Sequence, residues 1–556
     1  MMEQADVTRL SARFSQLIQE RRYLDTAWLS LAEHFLPTRY TSIGEAQRHR
    51  TKEVLLNDKI VDATGIHAMR TLAAGLQGGM TSPARPWFRL GLEDDELANS
   101  RAVRSFLDTV AKTMRNLFHR SNFYNAIHTL YSDLATFGTA FMFEFGDFDS
   151  DIRFVTVPAG QYVIDVSATG RVDTVFRRMS MTTRQLLQEF GYEACPENVR
   201  IAHDSNKADQ LSTLWDVVHA VYPRTDCPTC AGLPQWAMPY ASVYWLESGG
   251  GGRAQILRES GFEDFPGFGP RWDSMAGSAY GRSPAMDCLP DCKMLQQMGI
   301  TTLKAIHKSV DPPMGVSSSL KAVGLDLTPG GLNYVENMPG QAPQAATPLL
   351  QVRPEIQAAR QLTQDVQNQI KQGLYNDLFK MLLSSDRNNV TAREVAAREE
   401  EKLILIGPVL ERLHDELFIP LIDRTFNIMA RFNMLPPLPP EMEGSNFKVE
   451  FVSLLAQAQK MVSTSAVDQL LAFTSRTAQA FPEVLDAIDV DNVMDGYAEY
   501  LGVEVDMIRP RQDREALRQQ RAQAQAQAQH MSQIQQGVKV AKELGGIISD
   551  ISGGTA

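Results

Sequence analysis

The chain has 556 residues, of which 44% are apolar and 22% are charged, and its formal net charge is −12 at pH 7. A chain of this length can form several compact units, and the composition is that of an ordinary soluble protein. The acidic balance excludes a protein that coats nucleic acid, because such binding needs a concentrated basic surface. It does not exclude a protein that DNA passes at close range without being tightly bound. No run of eighteen apolar residues is present, so no membrane-spanning helix is expected.

The N-terminal residues and the cysteines indicate a cytosolic protein without a metal site. The start, MMEQADVTRL, lacks the basic and then apolar order of a secretory signal. Cys227 and Cys230 have the spacing of half a zinc site or of a redox pair, but no second CxxC and no HxxxH accompanies them. We therefore expect Cys227 and Cys230 to be reduced, structural cysteines in a loop. The chain has five cysteines, which cannot all pair; they are Cys195, Cys227, Cys230, Cys288 and Cys292.

The N-terminal quarter of the chain is predicted to be mainly helical. Apolar residues on one face indicate an amphipathic helix over 8–36, and an alanine- and glycine-rich helix is expected from Ile60 until Gly78–Gly79 interrupts it. Prolines exclude a helix from the segment that follows, where Trp87–Phe88 is predicted to enter a core. Residues 99–145 again have a helical pattern, which ends in an apolar run.

From Asp151 to Met179 the pattern changes to short β-branched runs with turns that end at Gly160 and Gly170. This pattern predicts a small antiparallel sheet of hairpins. Further strands are expected at 215–222 and 241–246. The glycine run at 249–252 is predicted to be a turn and not a phosphate-binding loop, because no Gly-Lys-Ser/Thr follows it. The chain is therefore not expected to hydrolyse ATP.

Two long helices on either side of a proline- and glycine-rich insert are the central prediction. The first covers 286–310 and stops at Pro312–Pro313, because tandem prolines remove backbone donors, and the second covers 354–378. Each helix has one thin apolar stripe and otherwise mostly polar faces, so neither can bury itself within one subunit. We expect identical neighbours to cover their sides and a polar face to remain toward water or a solvated polymer.

A loop and a long helix are predicted next. The loop covers 381–389, and a capping box of Thr391 and Glu394 starts a helix that continues to Asn433. Within that helix, Gly407–Pro408 predicts a kink, because the proline ring clashes with the preceding turn.

The remaining residues predict a strand and a smaller helical unit. The strand covers 447–452 and is expected to join the earlier sheet. Several short helices are predicted over 455–508, and the Arg-, Gln- and Ala-rich residues 509–536 favour a polar helix.

The sequence shows no catalytic constellation. Six histidines on predicted helices lack a paired serine or cysteine and a partner at metal-ligand spacing, so we expect core or surface roles for them; they are His34, His67, His119, His128, His307 and His414. We therefore predict that the protein is not an enzyme and binds no cofactor.

Three stretches together resemble the portal, or head-to-tail connector, proteins of short-tailed bacteriophages. The first is RRYLDTAWLSLAEHFL at 21–36 with LAAGLQGGMTSPARPWFRL at 72–90. The second is YGRSPAMDCLPDCKMLQQMGITTLKAIHKSVDPP at 280–313. The third lies at 390–440 and contains VTAREVAAREEE, IGPVLERL and LFIPLIDRTFNIM. The order of the stretches along the chain is also that of the family.

The resemblance implies an α+β, mainly helical portal fold with a wing, a stem, a clip and a crown, in a ring oligomer. The implied regions are the wing at 1–282, a first stem helix at 283–310, the clip at 311–353, a second stem helix at 354–378, a channel loop at 379–390, the rest of the wing at 391–453, the crown at 454–530 and a partly flexible tail at 531–556.

The function implied by the resemblance is structural. A homododecameric ring at one capsid vertex would form the channel through which double-stranded DNA is packaged and ejected. The implied partners are the large terminase motor, a tail adaptor protein, and the major capsid and scaffolding proteins, with no membrane. The protein would be assembled in the host cytoplasm and retained in the virion.

Cationic and amide side chains on the stem and channel loop are the candidate channel lining; they are Lys293, Lys304, Lys308, Lys371, Arg387, Asn388 and Asn389. A conduit for DNA should be mostly neutral or acidic with scattered cations, because a strongly basic tunnel would hold the duplex. For each lysine the alternative is a solvated side chain or an intersubunit salt bridge.

Two other classes of function stay open from the residues alone. The first is an oligomeric structural adaptor that uses the same helices without a DNA channel. The second is an enzyme acting on nucleic acid, which the acidity and the absence of a carboxylate cluster disfavour. A ring with an open axial hole distinguishes the portal from both.

Overall fold

The structure is a computed structural model, and it describes the parts of the chain named here. The described residues are 4–43, 60–92, 101–147, 151–205, 207–224, 237–247, 255–274, 277–310, 314–316, 346–348, 356–383, 406–440, 447–451, 470–477, 489–494, 509, 513–521 and 523–524. The chain divides into two compact units, Met1–Ala456 and Gln457–Ala556.

The first unit is mainly helical with a smaller β part, as predicted from the sequence. Its α-helices in chain order are α1 (Gln4–Phe35), α2 (Thr64–Met80), α3 (Arg101–Arg120), α4 (Phe123–Phe137), α5 (Thr183–Phe190), α6 (Glu197–Asp204), α7 (Ala208–Leu211), α8 (Pro284–Val310), α9 (Ile356–Gly373), α10 (Asn376–Leu383) and α11 (Ile419–Arg431). A 3-10 turn, Pro37–Ser42, follows α1.

Within the described residues of this unit, the strands form four antiparallel sheets. In chain order they are β1 (Phe88–Leu92), β2 (Phe141–Asp147), β3 (Asp151–Val157), β4 (Tyr162–Val166), β5 (Val172–Thr182), β6 (Leu214–Pro223), β7 (Tyr240–Leu246), β8 (Gln255–Phe262), β9 (Gly267–Phe268), β10 (Met314–Val316), β11 (Ala346–Pro348) and β12 (Phe447–Phe451). The sheet orders are β4-β5-β6-β7-β8, β3-β2-β9, β1-β12 and β10-β11.

The strands predicted between residues 151 and 246 are present, but their pairing is not that of a single series of hairpins. β3 pairs with β2, and β4 pairs with β5. The turn at Gly160 therefore connects two different sheets, whereas the turn at Gly170 closes a hairpin. The structure adds the strand β8 and the short helices α5 to α7, which the sequence pattern did not indicate.

Three further predictions are wrong in detail. Residues 141–147 at the end of the predicted helical stretch 99–145 form the strand β2, whose first four residues are buried. α2 begins at Thr64 and not at Ile60, and it continues through Gly78–Gly79 to Met80. β12 pairs with β1 and not with the 151–179 strands.

An aromatic core anchors the segment after α2, as predicted for Trp87 and Phe88. Both side chains are buried, and the Trp87 ring is stacked on Phe123 at a centroid distance of 5.9 Å. Phe418, which immediately precedes α11, also contacts the Trp87 ring, at 5.6 Å. The N-terminal helices and the long C-terminal helix therefore share one core.

The long helix predicted to contain Gly407–Pro408 is described from residue 406 onward. Its predicted start, with the capping box of Thr391 and Glu394, lies outside the described residues, and the kink prediction falls at their edge. Within the described part, the irregular turn is the π-helical segment His414–Phe418, directly before α11. A π turn contains one extra residue relative to an α-helical turn.

The second unit is described only in part. Helical residues are 470–477, 490–494 and 513–521, which agrees with the short helices and the polar helix predicted there. Arg514 and Arg518 both donate to the Asp491 carboxylate, at 3.1 and 2.9 Å. These ion pairs join the second and third of these helices.

Candidate nucleic-acid interface

Two long helices flank the insert, as predicted. α8 covers Pro284–Val310, and α9 covers Ile356–Gly373. The second helix does not continue to 378, because Tyr375 adopts a left-handed backbone conformation with φ 55° and a new helix, α10, begins at Asn376. Residues 381–383, predicted to be loop, belong to α10. At the other ends of the pair, β10 and β11 form a short antiparallel ladder.

Small residues allow these helices to approach each other and α2 closely. A Cβ atom built on Gly373 of α9 would lie 2.5 Å from the Cys288 Sγ of α8. A Cβ atom on Gly75 of α2 would lie 2.2 Å from Cγ of Phe379 in α10. Because atoms cannot approach this closely, larger residues at these two positions would push the helices apart.

A polar network ties the start of α2 to both long helices. Gln296 of α8 accepts from the backbone N–H groups of Val61 and Asp62, at 2.8 and 3.0 Å, and donates to the Asp62 carbonyl at 2.7 Å. The Asp62 carboxylate accepts from the Thr64 N–H at 2.8 Å and from Gln367 of α9 at 2.7 Å. The three helices are thus held in one arrangement near Asp62.

The charge of Asp62 is favoured at this junction. Burial raises the pKa of the carboxyl, but the hydrogen bonds from Thr64 and Gln367 and the nearby Lys371 ammonium lower it, and the net pKa is below the ordinary value. Asp62 therefore remains ionised near neutral pH and is an electrostatic partner for Lys371.

The apolar side chains of the two long helices become exposed toward the insert. Cys288, Cys292 and Leu295 of α8 are buried. Farther along α8 and on α9, four apolar side chains are at least about a third exposed; they are Leu303 at 47%, Ile306 at 37%, Val310 at 81% and Leu362 at 55%. Ile306 follows Leu295 by about three helical turns, so it continues the buried face. Water-exposed apolar side chains in a row are typical of a surface that a partner covers.

Three of the four predicted lining lysines share one face of α8. Lys304 follows Leu295 by about two and a half helical turns and therefore lies opposite the buried face, and Lys293 and Lys308 lie on the same side as Lys304. All three are exposed. The Lys293 ammonium is 3.4 Å from the Ser30 hydroxyl of α1, whereas in the part of the chain that is described Lys304 and Lys308 have no ion-pair partner.

Of the other predicted lining residues, Lys371 is described, and it does not share this face. Lys371 is half-buried beside Asp62. Arg387, Asn388 and Asn389 lie outside the described residues. The polar face of α8 thus carries a sparse row of ammonium groups, which can attract phosphates by charge.

The two cysteines of α8 have raised thiol pKa values, which disfavours the reactive thiolate. Burial raises the pKa of the Cys288 thiol to about 12 and raises that of Cys292 as well, with the neighbouring Asp291 adding to both shifts. These two thiols and Cys195 are free and buried. Cys227 and Cys230, for which reduced structural roles in a loop are predicted, lie outside the described residues. No cluster able to hold a metal ion is found among the residues described, and none of the described helices is long and apolar enough to cross a membrane.

Asp62, Gln296 and Gln367 were missed by sequence reasoning, although one local signal was present. An aspartate two residues before the first helical residues is a frequent side-chain acceptor for free N–H groups at a helix start. The two glutamines gave no such signal, because their partners are more than two hundred residues away in sequence.

Comparison with known proteins identifies relatives over almost the whole chain. The family described as "Bacteriophage head to tail connecting protein" matches residues 7–508. The probable portal protein of Bordetella phage BPP-1 is 37% identical over 553 residues, covering 98% of this chain and 97% of that protein. The portal protein of Salmonella phage epsilon15 is 35% identical over 548 residues, covering 98% and 96%.

Solved structures are more distant. The neck of an empty gene transfer agent particle matches 76% of this chain and 89% of its own, at 10% identity and a TM-score of 0.32. A similarity this low carries no argument about this chain.

Proposed function

The chain belongs to the bacteriophage head-to-tail connecting protein family, and from this membership we propose that it is the portal subunit of a phage particle. In this proposal its copies form a ring, most simply a dodecamer, at one capsid vertex. The ring is the channel for packaging and ejection of double-stranded DNA. It is also the docking site for the terminase motor, the tail adaptor, and the capsid and scaffolding proteins.

The observation that supports a ring is the apolar surface left open on α8 and α9. Leu303, Ile306, Val310 and Leu362 are exposed apolar side chains on this pair of helices, and contiguous exposed apolar surface is typical of an interaction site. A second copy of the same chain can cover them, and a contact between two different surface patches repeats from subunit to subunit until the ring closes.

The observation that supports a channel is the lysine face of α8. A DNA duplex has one negative charge about every 1.7 Å along its axis, so a continuous basic wall would hold it by counterion release. Lys304 and Lys308 are single charges separated by uncharged residues, and the net charge of the whole chain is −12. Such a wall would attract DNA weakly and allow it to slide.

The proposed regions keep the boundaries implied by the family resemblance. In them, α8 and α9 are the stem and 311–353 is the clip. The channel loop implied at 379–390 is the one exception and is shortened to 384–390, because α10 extends to Leu383. The second unit, Gln457–Ala556, would contain most of the crown at 454–530 and the tail at 531–556. No step of covalent chemistry is assigned to the subunit, and ATP hydrolysis would belong to the motor.

The channel proposal predicts that removing the exposed lysines weakens the hold on packaged DNA. In particles carrying Lys304→Ala with Lys308→Ala, or Arg387→Ala, we expect a smaller fraction of virions to retain full-length DNA, because cations near the phosphates are lost. The measurement is the amount and length of DNA retained after a salt challenge.

Lys112→Ala is the matched control, since Lys112 is an exposed lysine on α3, away from the long helices. It should leave retention unchanged. Unchanged retention in the Lys304/Lys308 and Arg387 variants, with normal ring assembly, would show that these cations do not line the channel.

A further inference from the structure

A carboxyl group without a charged partner is buried between strand β2 and helix α11. Glu144 is fully buried, and among the described residues its Oε2 atom has no hydrogen-bond partner. Its Oε1 atom is 2.8 Å from the Thr425 hydroxyl oxygen. An ionised carboxylate in such a place would normally be paired, because the cost of burying an unpaired charge is large.

The contacts of the Thr425 hydroxyl fit a protonated Glu144. Its oxygen lies 2.8 Å from Glu144 Oε1 and 2.7 Å from the backbone carbonyl of Leu421, one helical turn earlier. A hydroxyl has one proton and cannot donate to both acceptors. If Thr425 donates to the Leu421 carbonyl, the remaining short contact requires a proton on Glu144, which then donates to the Thr425 oxygen.

The guanidinium of Arg424 donates to backbone carbonyls near Glu144. Arg424 is buried, and its guanidinium donates to the backbone carbonyl of Glu144 at 3.1 Å and to that of Asp264 at 3.0 Å. These two bonds tie α11 to β2 and to the segment before β9. The guanidinium has three further N–H groups, so an ionised Glu144 would draw it toward the carboxylate and away from the positions in which it holds the two carbonyls.

The other groups around Glu144 do not neutralise it. Arg431 of α11 is the second cation that faces it, but it pairs with Glu263 and Asp264, at 3.5 Å each. The adjoining strand β3 places Phe154 opposite Glu144, and on the other side the Pro266 carbonyl accepts from the Glu144 N–H at 2.9 Å. Burial raises the pKa of Glu144 from 4.5 to about 7, against the opposing effect of Arg424.

We propose that Glu144 is a proton-operated switch in the contact between β2 and α11. With the proton present, Glu144 donates to Thr425 and Arg424 holds the two carbonyls. When the proton is lost to solvent, Arg424 is drawn toward the new carboxylate, its bonds to the two carbonyls weaken, and α11 is held less tightly against the sheet. The switch lies within one subunit and does not depend on the proposed channel.

The test compares the pH dependence of unfolding in the unaltered protein and in Glu144→Gln, whose amide can donate to Thr425 but does not titrate. A carboxyl whose pKa is raised by folding contributes stability that is complete below the unfolded pKa and is lost as pH rises to the folded value. From pH 4.5 to 7 we therefore expect the unfolding equilibrium constant of the unaltered protein to rise on the order of a hundredfold relative to that of Glu144→Gln.

Two further measurements separate a switch from a passive buried acid. Glu411→Gln, at an exposed position earlier in the same long helix, is the matched control and should keep the pH dependence of the unaltered protein. Hydrogen exchange of the α11 amides, corrected for intrinsic rate, should become faster between pH 6 and 8 in the unaltered protein but not in Glu144→Gln.

Either of two results would overturn the proposal. Identical pH profiles for the unaltered protein and Glu144→Gln would show that Glu144 does not titrate in this range. Exchange of α11 that does not change with pH in the unaltered protein would show that ionisation does not release the helix, and this second measurement stands even if Glu144→Gln fails to fold.

Discussion

Replacing Gly138 by alanine is expected to destabilise the protein by about 4 kcal/mol, because two penalties add at this position. Gly138 ends α4 with a left-handed φ of 78°. A Cβ atom there would lie 2.4 Å from the Gly281 carbonyl oxygen, in the segment that leads into α8. A left-handed alanine costs about 1–2 kcal/mol, and displacing a packed backbone adds about 1–3 kcal/mol.

Gly170→Ala separates the two penalties. Gly170 has a similar φ of 80°, but a Cβ atom built on it meets nothing within 4 Å. Its substitution should therefore cost only about 1–2 kcal/mol. Denaturant unfolding of both variants is the measurement, and equal losses would mean that α4 and the start of α8 do not approach each other as the structure has them.

Removing the Arg271 side chain is expected to cost about 3–5 kcal/mol, the range for breaking a buried ion pair. The guanidinium donates to both carboxylate oxygens of Glu416, at 2.5 Å to Oε1 and 3.2 Å to Oε2. The Arg271 side chain is 8% exposed and the Glu416 side chain is 16% exposed. It also donates to the carbonyls of Ser278 and Gly170. Because Glu416 belongs to the π-helical segment, Arg271→Ala should loosen the long helix there.

The ion pair of Arg282 with Asp287 is the matched control, since both side chains are more than 60% exposed. Arg282→Ala should change the free energy of unfolding by less than about 1 kcal/mol. The measurement is the free energy of unfolding of Arg271→Ala, Arg282→Ala and Glu416→Gln. Arg271→Ala and Arg282→Ala variants of equal stability would contradict the role given to Arg271.

Local patterns in the sequence were sufficient to predict most helices and the strands between 151 and 246. The helical spacing of apolar residues in α1 and the prolines after α8 are patterns among residues that are close together in the sequence. Sheet partners were not predictable in this way. β12 pairs with β1 across more than three hundred residues, and no local pattern specifies such a partner.

The wrong boundaries have physical reasons. Residues 141–147 are an apolar run, and such a run does not distinguish a buried strand from a buried helix. α2 continues through Gly78–Gly79 because α4 and α10 pack against it, and tertiary contacts outweigh the low helix propensity of glycine. By contrast, the capping box of Thr182 and Gln185 at the start of α5 was a local signal that could have been used.

Part of the candidate interface was accessible from the sequence. Helical spacing places Lys293, Lys304 and Lys308 on one face without any tertiary information. The position of Lys371 was not accessible, because it depends on Asp62, which is distant in sequence and reaches α9 through Gln367.

Electron microscopy of the purified protein, with class averages viewed down the symmetry axis, tests the central claim most directly. The portal proposal predicts closed rings, most simply of twelvefold symmetry, with an axial hole wide enough for a DNA duplex. Mass measurement across protein concentrations should give the same subunit number. Closed clusters without a hole would contradict the channel and favour an oligomeric adaptor, and a chain that stays monomeric at every concentration, with and without scaffolding protein, would contradict the ring itself.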